Sequence, residues 1–279
     1  MPASRVMNEF EQEKKEREHQ EDLQRLRGFR PMDDDFMRGM LKGNKDLAEF
    51  ILRILMSKPS LILKSFDTQA DMKRVTGARS VILDGYGTDD SGRKIDLEVQ
   101  RADKGAGAKR ARYNSSVMDI ENLDAGQDFD DLPDTYTIFI TEQDFFGKGK
   151  AVYTIQRINT TIDAAFDDGT YILYVNGEYR GENDIGYLMH DFNCTDADDM
   201  HFPEMADRTR YLKENPKGVN EMCKSMEDMR DKARTEGKIL GAIDMLKEVG
   251  IPENDIIVKV AHKYKVPEEY VRNLMHTAA

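Results

Sequence analysis

Val81-Ile82-Leu83-Asp84 is followed, after a polar gap, by Lys94-Ile95-Asp96-Leu97-Glu98-Val99-Gln100, and these two segments decide how the chain folds. Both alternate with a period of two and are strand-like. Between them Thr88-Asp89-Asp90-Ser91-Gly92-Arg93 has turn chemistry at its centre, so 80–87 and 94–101 are predicted to pair as an antiparallel hairpin. Successive strand residues face opposite ways. Ile95, Leu97 and Val99 therefore share one face, and Asp96, Glu98 and Gln100 the other. Reflection about the turn brings Asp84 close to the level of Glu98. Two carboxylates that close repel each other unless a cation sits between them or one stays protonated. A hard divalent cation, magnesium or manganese, takes oxygen ligands and keeps several waters, so two carboxylates and a backbone carbonyl suffice to hold it. One retained water can then attack a phosphodiester while the ion stabilises the developing oxyanion. The competing role for Asp84 and Glu98 is as solvent-facing residues of an amphipathic hairpin.

Upstream of the hairpin, residues 1–30 are rich in Glu, Lys, Arg and Gln and predict a charged helical or disordered lead-in outside any core. A helical pattern starts near Asp33–Phe36 and resumes over 44–57, where Leu47, Phe50, Ile51, Ile54 and Leu55 recur at helical spacing before Pro59. Downstream, 107–120 is predicted helical, and 135–141, 151–157 and 171–175 are predicted strands. This order gives an α/β (α+β) domain over about 32–200. From 201 to 279 the pattern is helical. A charged run over 203–234 carries Met222, Met226 and Met229 as a packing stripe, an amphipathic stretch over 236–248 ends at Gly250, and two shorter helices follow with Pro252 and Pro267 in their first turns.

A chain of 279 residues with 39% hydrophobic content can bury one sizeable core and carry a smaller appendage. No apolar run reaches the ~20 residues that span a bilayer, and the N-terminus lacks a secretory pattern, which predicts a soluble cytoplasmic protein without a membrane partner. The two cysteines, Cys194 and Cys223, support neither a disulfide framework nor a zinc ribbon. A formal charge of −12 argues against a protein that coats nucleic acid. A local basic face remains, because Lys104, Lys109, Arg110 and Arg112 form one compact stretch while the acidic excess lies mostly in 121–134, 163–168 and 191–207.

The order Asp84, a dozen residues, Glu98-Val99-Gln100, then Lys109-Arg110-Ala111-Arg112-Tyr113 on a helix resembles the PD-(D/E)XK nuclease family transposases, the recombination-promoting nuclease group. Asp35-Phe36-Met37, His190-Asp191-Phe192-Asn193-Cys194 and Met222-Cys223-Lys224-Ser225-Met226-Glu227 extend the resemblance over about 32–234. It implies a restriction-endonuclease-like core with a mixed sheet flanked by helices. It also implies a magnesium-dependent endodeoxyribonuclease acting on DNA in recombination or in mobile elements. Asp84 and Glu98 are then the metal ligands, with the Val99 carbonyl as third. Gln100 stands where the superfamily has lysine; glutamine can orient a water but supplies no charge. Lys109, Arg110 or Arg112 can fill that role, and the resemblance favours Arg112 with Tyr113. A first-helix acid completes such sites, with Asp34, Asp35 and Glu49 as candidates and Asp35 preferred; the other role for Asp33–Asp35 is to cap that helix. Lys104, Lys109 and Arg110 are candidates for holding DNA. A catalytically silent member that only binds DNA or protein is the alternative reading.

His190, His201 and His262 are widely spaced, and a His190-Asp191-Cys194 trio is expected to cap and pack rather than catalyse. Residues 256–274 resemble a helix-turn-helix with Ala261, Val266 and Val271 at packing positions, but Lys265 stands where glycine is usual and Glu268-Glu269 would face phosphates. A small helical module that packs on its neighbour or forms a homo-oligomer is the preferred expectation.

Overall fold

The predicted hairpin forms. A computed structural model describes residues 2–72, 81–101 and 105–277, and in it β2 (Val81–Asp89) pairs antiparallel with β3 (Lys94–Gln100), Gly85 standing opposite Leu97 and Thr88 opposite Lys94. Asp89 makes the turn. Its buried carboxylate accepts from the backbone N–H of Ser91 and Arg93 and from Arg93 Nε, while Gly92 takes the positive φ the turn requires.

β3 continues in parallel with β4 (Thr135–Thr141), and β4 in parallel with β8 (Thr170–Asn176). β5 (Val152–Ile155) closes one edge antiparallel to β8. β1 (Leu63–Met72) closes the other edge antiparallel to β2, so the six-stranded mixed sheet runs β1-β2-β3-β4-β8-β5. β6 (Ile158–Asn159) and β7 (Ala164–Ala165) form a small separate ladder. β1 was not expected from the sequence. Its stretch Lys64-Ser65-Phe66-Asp67-Thr68-Gln69 is mostly polar and half-exposed, as edge strands are, so it carries no apolar period to read.

The core strand β3 departs from an amphipathic hairpin in one respect. Ile95 through Val99 are all buried, Asp96 and Glu98 included, because α4 (Ala108–Asn122) covers the polar face. The other helices of this unit are α1 (Pro2–Gly28), α2 (Asp34–Leu41), α3 (Lys45–Leu55), α5 (Asp184–Asn193) and α6 (Pro203–Glu214). The last turns of α1 do not stay outside the core as expected, since Leu26 is buried and Lys213 Nζ donates to the carbonyls of Arg27 and Phe29. The sequence reading gave no element to the stretch that forms α5. Its signal is Asn183 as N-cap, accepting from Gly186 N–H, with Leu188, Met189 and Phe192 buried at helical spacing.

The chain divides into compact units at Glu221/Met222, inside the stretch 201–279 whose pattern is helical. The reason is α6, which stays with the first unit: Arg208 donates to the carbonyls of Gly39, Met40 and Lys42, and Thr209 Oγ1 donates to Met40 Sδ. The expected 203–234 helix is broken at Asn215, held extended before Pro216, and α7 (Pro216–Glu248) then runs unbroken through 234–236. In the second unit the end of α7, α8 (Glu253–Tyr264) and α9 (Glu268–Thr277) bury Ile239, Ile243, Ile256, Ile257, Val260 and Val271 together. Among the described residues no helix is long and apolar enough to cross a membrane.

Candidate functional site

Where β2 and β3 part, the sheet opens a fork. Pairing between them ends at Gly85↔Leu97, after which β2 continues along β1 to Val81 and β3 continues along β4 to Gln100. Asp84 is the first residue of β2 beyond the fork and Glu98 the first of β3. Gln100 C=O accepts from Glu142 N–H on the β4 side, and strand carbonyls alternate in direction, so the Val99 C=O points to the side β2 has left.

Four acids share this place. Burial, then the neighbouring Glu98 and Asp34, push the Asp84 carboxyl up to about 7. Asp96 is wholly buried and is raised well above the carboxylate range by burial and then by Glu98. Burial raises Glu98 as well, against the pull of Arg110 and the Asp84 backbone N–H. Asp34, at the start of α2, is raised by burial and held back by Arg38. Such mutual elevation is what crowded carboxylates show when no cation separates them.

α4 supplies the polar partners. Arg110 Nη2 donates to Glu98 Oε2 at 2.7 Å, Gln100 Nε2 donates to the same oxygen at 3.2 Å, and Asn114 Nδ2 donates to Asp96 Oδ2 at 3.1 Å. Arg110 and Asn114 lie four apart, on one face of the helix. Gly105 clears space for Gln100, since a Cβ there would lie 1.7 Å from Gln100 Oε1. Among the described residues no nitrogen or hydroxyl donor reaches Glu98 Oε1 or Asp96 Oδ1, both buried, although the two acids lie within hydrogen-bonding reach of each other, so a shared proton or a cation is what can join them. Buried carboxylate oxygens are the ligands a hard divalent cation takes, so the residues present fit magnesium or manganese.

The sequence model of the PD-(D/E)XK nuclease family transposases matches residues 38–178, half of the chain. The chain belongs to this family. No curated protein and no solved structure matches it. The family match takes in β2, β3 and α4, and the mixed sheet flanked by helices agrees with a PD-(D/E)XK-like α/β fold.

Within this family member, the residues singled out from sequence fall in three groups. Asp84, Glu98, Val99 and Gln100 meet at the fork, together with Arg110. Arg112 and Lys109 are exposed on α4, as Tyr113 is in part, and the α4 side chains seen bonding the acids are Arg110 and Asn114 instead. The cause is helical rotation, since Arg112 lies about 200° around the axis from Arg110. Lys104 lies outside the described residues. Asp34 and Asp35 both pair with Arg38, Asp34 at 2.9 Å, and of the two it is Asp34 whose charge raises Asp84 and Glu98; Glu49 ties α3 to β1 by accepting from Leu63 N–H. One residue of helix separates Asp34 from Asp35, and about 100° of rotation decides which faces the fork. Asp96, Asn114 and Gly105 were given no role from the sequence. The i, i+4 spacing of Arg110 and Asn114 opposite two strand acids is the signal that points to them.

Proposed function

We propose that this chain is a metal-dependent DNA endonuclease whose centre is the fork between β2 and β3. The observation that carries this reading is the crowding of the buried Glu98 and Asp96 carboxylates beside Asp84, an acid cluster whose charge a divalent cation would offset. Asp84, Glu98 and the Val99 carbonyl would hold magnesium or manganese, with Asp34 as the first-helix acid. When bound, the ion supplies positive charge to the phosphodiester as negative charge develops on it. Gln100, held by Glu98 and seated over Gly105, orients the attacking water through its amide. Arg110 supplies the charge that a lysine at position 100 would carry, from a side chain still 41% exposed and within reach of a phosphate. Lys109 and Arg112, exposed on the same helix, lie along a path for the DNA backbone. Family membership supports a role in recombination or mobile elements.

The test is cleavage of supercoiled plasmid by the full chain, with and without magnesium or manganese, against Asp84→Asn and Glu98→Gln. Nicking that needs the ion and is lost in both variants is expected. If the wild type cuts nothing while still shifting DNA in a gel, the chain is a silent binder built on the same fold.

A further inference from the structure

Away from the β2–β3 fork, the end of α5 gathers a second and chemically different set of ligands. His190 and Cys194 lie four apart, on one helix face, with Asp191 beside them. One nitrogen of His190, one oxygen of Asp191 and the sulfur of Cys194 all lie within 4.8 Å of one another. His190 Nδ1 is 3.3 Å from Asp191 Oδ1 and 3.4 Å from Cys194 Sγ. His201 Nδ1 approaches the same Asp191 oxygen at 3.1 Å, its ring edge-on to His190 with centroids 4.5 Å apart.

The Asp191 carboxylate is fixed. It is wholly buried and accepts the backbone N–H of His201 at 2.8 Å on Oδ1 and of Phe202 at 2.9 Å on Oδ2, which locks the approach to α6 onto α5. Proton bookkeeping makes the remaining groups compete at one ring nitrogen. His190 Nδ1 carries at most one hydrogen, yet it faces both Asp191 and Cys194. The Cys194 thiol has the carbonyls of His190 at 3.4 Å and Asp199 at 3.8 Å as acceptors, and burial with the nearby Asp191 pushes it up to about 11, so without an ion it stays protonated. One cation at the common vertex serves all three groups at once. Zinc bound tetrahedrally by nitrogen, oxygen and sulfur sets its ligands about 3.3–3.6 Å apart, which the two distances from His190 match, while Asp191 and Cys194 lie within 4.8 Å of each other.

The geometry points to a second metal centre in this chain, in which His190 Nδ1, Asp191 Oδ1 and Cys194 Sγ bind one zinc-class divalent ion, with His201 orienting Asp191. Mixed imidazole, carboxylate and thiol ligands select a borderline-soft ion and discriminate against magnesium, which the oxygen-only fork suits. On binding, the bond from sulfur to the ion forms as the Cys194 S–H breaks, and its proton passes to solvent. His190, 39% exposed at its side chain, leaves the ion a route in from water. The centre joins α5 to the segment entering α6, so its effect is to fix that junction of the first unit.

The experiment uses the full chain, stripped with a chelator and titrated with cobalt(II) as the probe for zinc, in excess magnesium so that the fork is saturated. One equivalent should bind with a thiolate-to-cobalt charge-transfer band in the near ultraviolet, and added zinc should abolish the band. Cys194→Ser should remove it while circular dichroism stays that of the wild type. Cys223→Ser should keep it. The Asp84→Asn/Glu98→Gln double variant should keep it too, which separates this centre from the nuclease reading. No band in the wild type, a band that survives Cys194→Ser, or one that disappears in the double variant overturns the proposal.

Discussion

Arg110 reaches down from α4 to place its guanidinium 2.7 Å from Glu98, so an arginine that is 41% exposed at its side chain is paired with a carboxylate that is wholly buried. Removing the arginine strands the acid, and the cost falls on the buried partner. Arg110→Ala should therefore destabilise the metal-free protein by about 1–3 kcal/mol in urea unfolding, below the ~3–5 kcal/mol of a fully buried broken pair because water screens the exposed end. Magnesium should return part of that loss. Cleavage should fall further than stability accounts for, and Arg110→Lys should recover some of it. An Arg110→Ala protein as stable and as active as the wild type would show that the pair is idle.

The acids at the fork predict an unusual pH dependence. Asp84 is raised to about 7, with Asp96, Glu98 and Asp34 raised beside it. A folded-state pKa above the unfolded one gives stability that is full below pH ~4 and is lost as pH rises through about 7. Asparagine at position 84 removes this loss. In the absence of metal, Asp84→Asn should melt higher than the wild type at pH 8, by roughly 2–6 °C, and the gap should narrow as pH falls from about 7 and close only near pH ~4. A gap of constant size across that window would contradict the assignment.

Gly105 stands where any side chain collides with Gln100, its hypothetical Cβ lying 1.7 Å from Gln100 Oε1. Gly105→Ala should push the amide off Glu98 and reduce cleavage to the level of Gln100→Ala, with a stability cost of about 1–3 kcal/mol from overpacking. If the two lesions act through the same amide, the double variant should be no worse than either single one. Additive losses in the cleavage assay would reject a shared cause.

Lys265 ends α8 in the left-handed conformation, φ 55° and ψ 44°, its N–H donating to Ala261 C=O. A side chain there costs about 1–2 kcal/mol that glycine avoids. Lys265→Gly should raise the stability of the helical second unit by about 1 kcal/mol, read as a later urea midpoint for that unit, and leave plasmid cleavage unchanged. A destabilised variant would mean that the lysine side chain makes up the backbone cost through its own contacts.

The hairpin, its turn and the opposition of Asp84 and Glu98 were legible because they depend on local chemistry: a period of two, a Gly in a turn, and reflection about that turn. α3 and the strands β4 and β8 were legible for the same reason, each carrying its own apolar period. β1 was not, because an edge strand is stabilised by the neighbour it pairs with and needs no apolar signal of its own.

The sequence by itself therefore determined the strand–turn–strand unit, the acids it carries, and through the order of its motifs the family. Only the tertiary structure decided what surrounds those acids. Which helix face turns inward depends on packing against the sheet, and a single residue of rotation exchanges Asp35 for Asp34. The same packing brings Arg110 onto Glu98 and Asn114 onto Asp96. The polar face of β3 reads as solvated from its alternation, yet α4 closes over it, and burial lifts two surface-like carboxylates above their ordinary range.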